Sequence, residues 1–148
     1  MSYSVIRFRT VNSGIRLLPS VRINQLNMDD FKKLDVWTQL LKVNKMIYAN
    51  TRLFPKDERF GLTSQIRRAA VSTISNLAEG CGRRHRKDRL RFFYISRGSL
   101  YEVECQLILA KEFGFIGDAA FEISLLNIQR GKMILSGFIN HQQSNTFK

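Results

Sequence analysis

Residues 62–80 read LTSQIRRAAVSTISNLAEG, and the architecture of the chain can be worked out from this stretch. Apolar and small side chains recur every three or four residues, the spacing of one face of an α-helix, at Leu62, Ile66, Ala69, Ala70, Thr73 and Leu77. A polar line follows the same helix through Gln65, Arg68, Ser72, Asn76 and Glu79. We therefore predict a helix that packs against neighbours and exposes one line, with a left-handed cap at Gly80 and Gly82.

Three further segments have the same helical period. The first lies between residues 31 and 54, where Asp29 and Asp30 are predicted to cap the N-terminus. Another covers residues 90–110 and the last covers residues 121–139, with a glycine-bracketed turn between them. The sequence thus predicts four consecutive helices.

Composition agrees with a helical protein. The chain has 148 residues, nine glycines and only two prolines, which favours one domain with long helices. Short links between the helices predict an all-α fold, an antiparallel up-down-up-down four-helix bundle. We assign residues 1–28 to a basic N-terminal extension that is predicted to be disordered, residues 29–141 to the bundle, and residues 142–148 to a polar tail.

The N-terminal extension has its own character. Residues 1–27 contain four arginines and no acidic residue, and they show no sustained helical period. Three interpretations stay open: a disordered tail, which is favoured, an arm that contacts RNA, and a targeting peptide.

Charge is the strongest compositional signal. There are 24 Lys and Arg residues against 12 Asp and Glu, a formal net charge of +12. This balance favours a polyanionic partner, nucleic acid first and an anionic membrane surface second. The apolar runs are too short for a membrane span. Between the two kinds of partner we predict nucleic acid and no membrane. Two cysteines, Cys81 and Cys105, exclude a disulfide framework and favour a reduced, cytoplasmic setting.

The best functional candidate is the run at residues 83–91. Six of its nine residues are cationic: Arg83, Arg84, Arg86, Lys87, Arg89 and Arg91. Arg84, Lys87 and Arg91 are predicted to share one helical line, from which they would meet one phosphate backbone. Cations at a helix N-terminus oppose its macrodipole, so their presence there calls for a compensating role. Plain solvation or subunit pairing is the alternative.

Other arginines interrupt helical faces. We predict that Arg67, Arg68 and Arg97 form ion pairs that fix helix or subunit register, since arginine among apolar residues usually pairs with a carboxylate. The available partners are Glu79, Glu102 and Glu104. A phosphate-binding role is the alternative, and Arg59, Arg67 and Arg68 are kept as additional candidate nucleic-acid contacts.

The sequence contains few residues that could support catalysis. His85 lies in the cationic run and His141 near the C-terminus, and neither has metal-ligand spacing. Arginines near Cys81 favour a lowered thiol pKa, but an ordinary loop thiol is the preferred interpretation. We predict a non-enzymatic protein with no catalytic residues, metal site or cofactor.

Four segments carry a family resemblance: FKKLDVW (31–37), RFGLTSQIRRAAVS (59–72), NLAEGCGRR (76–84) and RFFYISRGSLYEVECQL (91–107). They resemble the four helix bundle protein family, whose members are encoded by intervening sequences within bacterial 23S ribosomal RNA genes. That family is similar to the accessory variability protein of diversity-generating retroelements. The resemblance implies an antiparallel bundle, a homopentameric ring and nucleic-acid binding, with no established enzymatic activity.

The chain departs from the family pattern in places. The family has a proline just before a Ser-Asn pair near the end of its second helix, whereas this chain has Thr73-Ile74-Ser75-Asn76. Residues 1–27 have no counterpart in the pattern.

Two functional hypotheses follow. The first is an oligomeric bundle that binds nucleic acid, structured RNA above all, through a basic rim. The second is a protein–protein scaffold or accessory factor for a nucleic-acid enzyme such as a reverse transcriptase. Apolar residues expected to remain uncovered in one bundle, such as Tyr48, Phe121 and Phe138, support oligomerisation in either case.

Overall fold

A computed structural model describes residues 28–144 and shows four α-helices. They are α1 (Asp35–Asn50), α2 (Leu62–Gly82), α3 (Arg86–Glu112) and α4 (Asp118–Ser144). Short 3₁₀ segments precede α1 at Met28–Lys33 and α2 at Lys56–Arg59, and this part of the chain has no strand. The predicted all-α class is confirmed. Residues 1–27, almost all of the predicted extension, and residues 145–148 lie outside the described part.

Contacts between α1 and α2 and between α2 and α3 show antiparallel packing. Asn44 on α1 donates to Thr73 Oγ1 on α2 at 3.3 Å, while Thr51, just after α1, accepts from Arg67 near the start of α2 at 2.8 Å. The Thr73 carbonyl accepts from Ser96 Oγ on α3 at 2.5 Å, whereas Gly80, later on α2, lies against Phe93, earlier on α3.

Helix α4 closes the bundle. Gln39 near the start of α1 donates to the carbonyl of Asn127, and Asn50 at its end donates to Ser124 Oγ at 2.8 Å. Towards α3, Lys132 pairs with Glu104 at 2.6 Å, and Phe138 packs edge-on against Phe93 with ring centroids 5.0 Å apart. Every neighbouring pair therefore runs antiparallel, which confirms the up-down-up-down bundle.

The core follows the helical periodicity of the sequence. Side chains with less than 2% exposure come from all four helices: Leu40, Val43, Ile47, Ile66, Leu77, Phe93, Leu100, Val103, Leu107, Ile128, Leu135 and Ile139. Burying one large side chain of this kind contributes about 1.5–3 kcal/mol before chain entropy is counted. Of the buried polar groups, the amide of Asn44 donates to both the Leu40 carbonyl and Thr73, whereas the hydroxyl of Thr63 has no hydrogen-bond partner within the described residues.

The predicted cap at Gly80 and Gly82 is wrong. Helix α2 continues through both glycines, and Arg83 follows in an extended conformation (φ −79°, ψ 136°). A Cβ on Gly80 would lie 2.5 Å from Phe93 Cε1 and 3.2 Å from the Arg89 carbonyl oxygen. The absence of a side chain at Gly80 therefore lets α3 approach α2 closely. Within residues 28–144, the left-handed conformation is found at Gly114 (φ +74°), in the turn between α3 and α4.

Two other boundaries differ from expectation. The N-terminal cap predicted at Asp29 and Asp30 is wrong, because the chain kinks at Asp30 and α1 begins only at Asp35, after buried Leu34. Asp30 pairs instead with Lys33 at 2.8 Å. At the other end, α4 extends through Ser144, into the segment that the sequence assigns to the polar tail.

Candidate nucleic-acid interface

The run at residues 83–91, here called the α2–α3 cluster, lies at the end of the bundle where α2 passes into α3. Helix α3 begins at Arg86, so Arg84 lies in the link and is not on a helical line with Lys87 and Arg91. That part of the prediction is wrong. Lys87 and Arg91, four residues apart on α3, do share a face.

Three cations of the cluster bind other parts of the chain. Arg83 pairs with Glu79, and its guanidinium carbon lies 4.6 Å from the centre of the Phe92 ring. Arg89 Nε donates to the Arg83 carbonyl at 2.6 Å, and a terminal nitrogen reaches the Arg84 carbonyl at 3.3 Å. Arg89 thus holds the link that follows the C-terminus of α2.

Arg86 binds the end of a different helix. Its Nε donates to the carbonyl of Gln142 at 2.9 Å, and a terminal nitrogen donates to the carbonyl of Gln143. These carbonyls belong to the last turn of α4, where the helix macrodipole favours a cation. The unfavourable interaction of the Arg86 charge with the N-terminus of α3 is thereby offset by its favourable interaction with the C-terminus of α4.

The other three cations face solvent. The side chains of Arg84, Lys87 and Arg91 are exposed, and the described part of the chain offers these side chains no hydrogen bond or ion pair. Lys87 and Arg91 border a shallow depression of about 730 Å³ that Tyr94 and Ile95 also line. The cluster therefore separates into cations that organise the helix ends and cations that are available to a partner.

The aromatic residues that follow the cluster differ in exposure. Phe93 is fully buried. Tyr94 is half-exposed, its hydroxyl accepts from the Gln143 amide, and the Arg97 guanidinium carbon lies 4.9 Å from its ring centre. A base stacking on Tyr94 would have to share the ring with Arg97.

Within residues 28–144, Arg67, Arg68 and Arg97 form no ion pair with a carboxylate, so the predicted pairing within one chain is wrong, and pairing between subunits stays a prediction. Glu79 pairs with Arg83, and Glu104 pairs with Lys132. Arg67 donates instead to the Thr51 hydroxyl at 2.8 Å and lies 5.0 Å from the centre of the Tyr48 ring. Thr51 and Tyr48 are partners that the sequence analysis missed, because it considered only carboxylates.

Arg59, Arg67 and Arg68 are not brought together with the α2–α3 cluster. They lie near the start of α2, and fifteen residues of helix place Arg68 and Arg83 about 22 Å apart along its axis. These three arginines line a groove of about 780 Å³, here called the α2 groove, together with Tyr48, Phe60, Gln65, Val71, Ser75, Asn76 and Glu102. The groove contains most of the polar line noted in residues 62–80.

Phe60 is a second residue that the sequence analysis missed. Its side chain is 86% exposed in the link before α2, and the Arg59 guanidinium carbon lies 5.5 Å from its ring centre. A phenylalanine between an arginine and a glycine in a turn was the available signal, but helical periodicity gives no reason to single it out.

Cys81 does not have the properties of a nucleophile. It is buried in the last turn of α2, so the loop assignment is wrong, and burial raises its pKa to about 11 despite the nearby Arg89 charge. The lowered thiol pKa considered from sequence is therefore also wrong. Across residues 28–144, no grouping of three His, Cys, Asp or Glu side chains is placed to hold a metal ion. None of the described helices has the length and apolar character of a membrane span.

Uncovered apolar residues occur mainly on α3 and α4. On α3, Tyr94, Tyr101 and Ile108 recur every seven residues. On α4, the exposed apolar residues are Ile123, Leu126 and Met133. Of the residues expected to be uncovered, Tyr48 is exposed, whereas Phe121 and Phe138 are half-buried against the core.

Comparisons with known proteins agree with this fold. The solved structures include a similar protein of unknown function from the S23 ribosomal protein family of Bacteroides thetaiotaomicron VPI-5482. The likeness has a TM-score of 0.64 at 20% identity over 70% of this chain and 97% of that chain, and at this identity it concerns the fold. No curated protein matches the chain. The family model of the 23S rRNA-intervening sequence protein matches residues 32–137, from just before α1 to late in α4. The chain therefore belongs to the 23S rRNA-intervening sequence protein family.

Proposed function

We propose that this chain is a non-enzymatic, oligomeric, cytoplasmic protein that binds nucleic acid, preferably structured RNA, through a basic rim formed by the α2–α3 cluster. The observation that carries the proposal is the exposure of the Arg84, Lys87 and Arg91 side chains at one end of the bundle, with no hydrogen-bond or ion-pair partner for these side chains in residues 28–144. The family description, which refers to 23S ribosomal RNA, favours RNA over DNA.

The cations of the α2–α3 cluster have two different roles. Arg84, Lys87 and Arg91 contact phosphates, while Arg83, Arg86 and Arg89 hold the helix ends in place and add positive potential. Contacts of this kind orient a protein on a nucleic acid without reading its sequence. Binding is therefore salt-sensitive and weakly sequence-specific.

A titration with labelled nucleic acids tests the proposal. The full chain is titrated by fluorescence anisotropy into an RNA hairpin, a DNA duplex of equal length and a polyglutamate control at several salt concentrations. We expect tighter binding to RNA than to polyglutamate. The variant Arg84→Gln/Lys87→Gln/Arg91→Gln should bind more weakly, and its slope of log K against log salt should flatten by about two to three units.

A matched variant controls for net charge. Lys42→Gln/Lys45→Gln/Arg130→Gln removes the same charge from exposed positions on α1 and α4. It should keep most of the affinity. Equal losses of affinity in both triple variants would show that the net charge of +12 attracts nucleic acid without a specific site. Unchanged affinity in the cluster variant would show that the α2–α3 cluster is not the binding site.

A second candidate function is supported by the uncovered apolar residues of α3 and α4. Such surfaces are typical of protein–protein contacts, and they suit either a homo-oligomer, a pentamer by resemblance, or a scaffold for a nucleic-acid enzyme such as a reverse transcriptase. The gene's neighbourhood distinguishes the two functions. A gene within a ribosomal RNA operon favours RNA binding, and one beside a reverse transcriptase favours the scaffold.

A further inference from the structure

The α2 groove combines the groups that bind unpaired nucleotides. It runs along the exposed side of α2 from the Arg59–Phe60 link to Asn76, and Asn76 is seven residues, about 10 Å, before Arg83. Its lining contains three arginines and one carboxylate, that of Glu102. The groove is thus positively charged and leads towards the α2–α3 cluster.

Aromatic surface is available at the outer end of the groove. Phe60 is 86% exposed in the link rather than packed in the core, and Tyr48 is also exposed. An aromatic ring beside cations provides a stacking platform for a base, and stacking tolerates any base because every base has a flat face. Arg59, next to the Phe60 ring, can meet the adjoining phosphate.

One arginine of the groove is already held in position. Arg67 is half-buried, and its Nε donates to Thr51 while its guanidinium lies over Tyr48. Since Nε has a partner, the terminal nitrogens are the donors that remain for a ligand. A fixed guanidinium loses less conformational entropy on binding than a free one. Arg68, the next residue, is exposed, so its side chain can adjust to the position of a phosphate in a flexible RNA strand.

The start of α2 is not the feature that binds. Glu58 already accepts from the Leu62 N–H at 2.8 Å, and its negative charge would repel a phosphate there. Further along, the side chains of Gln65, Ser75 and Asn76 line the groove with amides and hydroxyls. These groups can hydrogen-bond base edges, which a strand with unpaired bases presents and a duplex largely hides.

From these observations we infer that the α2 groove is a second site, which binds an unpaired RNA segment continuing from a duplex held on the α2–α3 cluster. The inference rests on the proposed function, because the cluster supplies the duplex contact. The preferred ligand is therefore a junction between double-stranded and single-stranded RNA. Phe60 stacks a base, and Arg59, Arg67 and Arg68 contact the phosphates.

Two RNAs test the inference with the full chain. One is a blunt duplex, and the other is the same duplex with an unpaired uridine tail of about six nucleotides. We expect the tailed RNA to bind about tenfold more tightly, as a stacked base with its phosphate contacts would provide. Phe60→Ala and Arg68→Gln should each remove most of this preference and leave the affinity for the blunt duplex unchanged.

Matched variants serve as controls. Leu53→Ala removes a side chain that is 85% exposed in the same link but does not line the groove, and Arg130→Gln removes an exposed arginine on α4. Both should keep the preference for the tail. A tail containing 5-iodouridine should form a photocrosslink to the peptide that contains Phe60, which locates the tail independently of affinity.

The outcomes separate this inference from the proposed function. If the parent binds both RNAs equally, or if Phe60→Ala and Arg68→Gln leave the preference intact, the groove assignment fails and the cluster assignment stands. If the parent binds neither RNA, both fail. If polyglutamate displaces the tailed RNA as effectively as single-stranded RNA of equal charge does, the groove accepts acidic chains in general and the inference is overturned.

Discussion

Gly80 shows how one residue can set the packing of two helices. Its missing side chain lets the Phe93 ring lie against the backbone of α2, and Phe93 in turn packs on Phe138 of α4. Replacing Gly80 by Ala should lower the free energy of unfolding by about 1–2 kcal/mol, because overpacking a filled core outweighs the better helix propensity of alanine. Urea unfolding followed by circular dichroism at fixed protein concentration measures the change.

Gly82 provides the control for this substitution. It lies two residues later in α2, and a Cβ built there has no atom within 4 Å. Gly82→Ala should therefore stay within about 0.5 kcal/mol of the parent. If Gly80→Ala were as stable as Gly82→Ala, the close approach of Phe93 would not be limiting.

At the scale of elements, the sequence predicts helix existence better than helix ends. The apolar period is local, so all four helices and their order could be predicted from it. Their ends are not marked by local signals alone: α2 continues through Gly80, where the Phe93 ring fills the space that a side chain would take, and α1 starts late because Leu34 is buried in an extended conformation. Local cap signals at Asp30 and Gly80 were therefore misleading.

The candidate site was predictable to the same extent. A run of six cations is visible in the sequence, but its division into bound and free members is not. Arg86 is bound because the end of α4, more than fifty residues away, lies beside it. The α2 groove was missed for a similar reason, since Tyr48 on α1 and Phe60 in the link line one groove only in the folded chain.

The contact between Arg86 and α4 leads to a prediction about the two elements that it joins. Arg86→Gln should loosen the last turn of α4, because the carbonyls of Gln142 and Gln143 lose a charged donor. Amide hydrogen exchange in residues 140–144 should become about threefold to tenfold faster, as expected for hydrogen bonds that contribute about 1 kcal/mol. Mass spectrometry of peptic peptides from the full chain would measure this.

Lys87 provides the matched control for Arg86. It is the next residue on α3 and is exposed, but it forms no hydrogen bond or ion pair with α4 (Asp118–Ser144). Lys87→Gln should leave amide exchange in α4 unchanged and should weaken RNA binding. Arg86→Gln should speed amide exchange in α4 and should have a smaller effect on RNA binding. Unchanged exchange in Arg86→Gln would show that its bonds to α4 do not stabilise that helix end.

At the scale of the whole molecule, charge and apolar surface oppose each other. A chain with a net charge of +12 repels its own copies, so self-association has to be driven by apolar burial. Salt screens that repulsion and also weakens phosphate contacts. Raising the salt concentration should therefore strengthen assembly while it weakens RNA binding, and the two processes can be separated by this difference in sign.

Leu126 is the residue with which to test assembly. It is 67% exposed on the outer side of α4, with Met133 two turns further on. Leu126→Glu should lower the light-scattering mass to that of the 17.2 kDa monomer, because a charge in an apolar contact is costly to bury. Thr38→Glu, which adds the same charge at an exposed position on α1, should keep the parental mass. A parent that is itself monomeric at high salt would contradict an oligomer.

The same variant shows whether assembly matters for binding. In the proposed oligomer each subunit would present one α2–α3 cluster, so an RNA that contacts several clusters would gain affinity without any new type of contact. A monomeric Leu126→Glu variant keeps its own Arg84, Lys87 and Arg91, yet it should bind RNA about tenfold to a hundredfold more weakly. Unchanged affinity in that monomer would mean that one subunit contains the complete site, and the exposed surface of α4 would then have to serve some other contact.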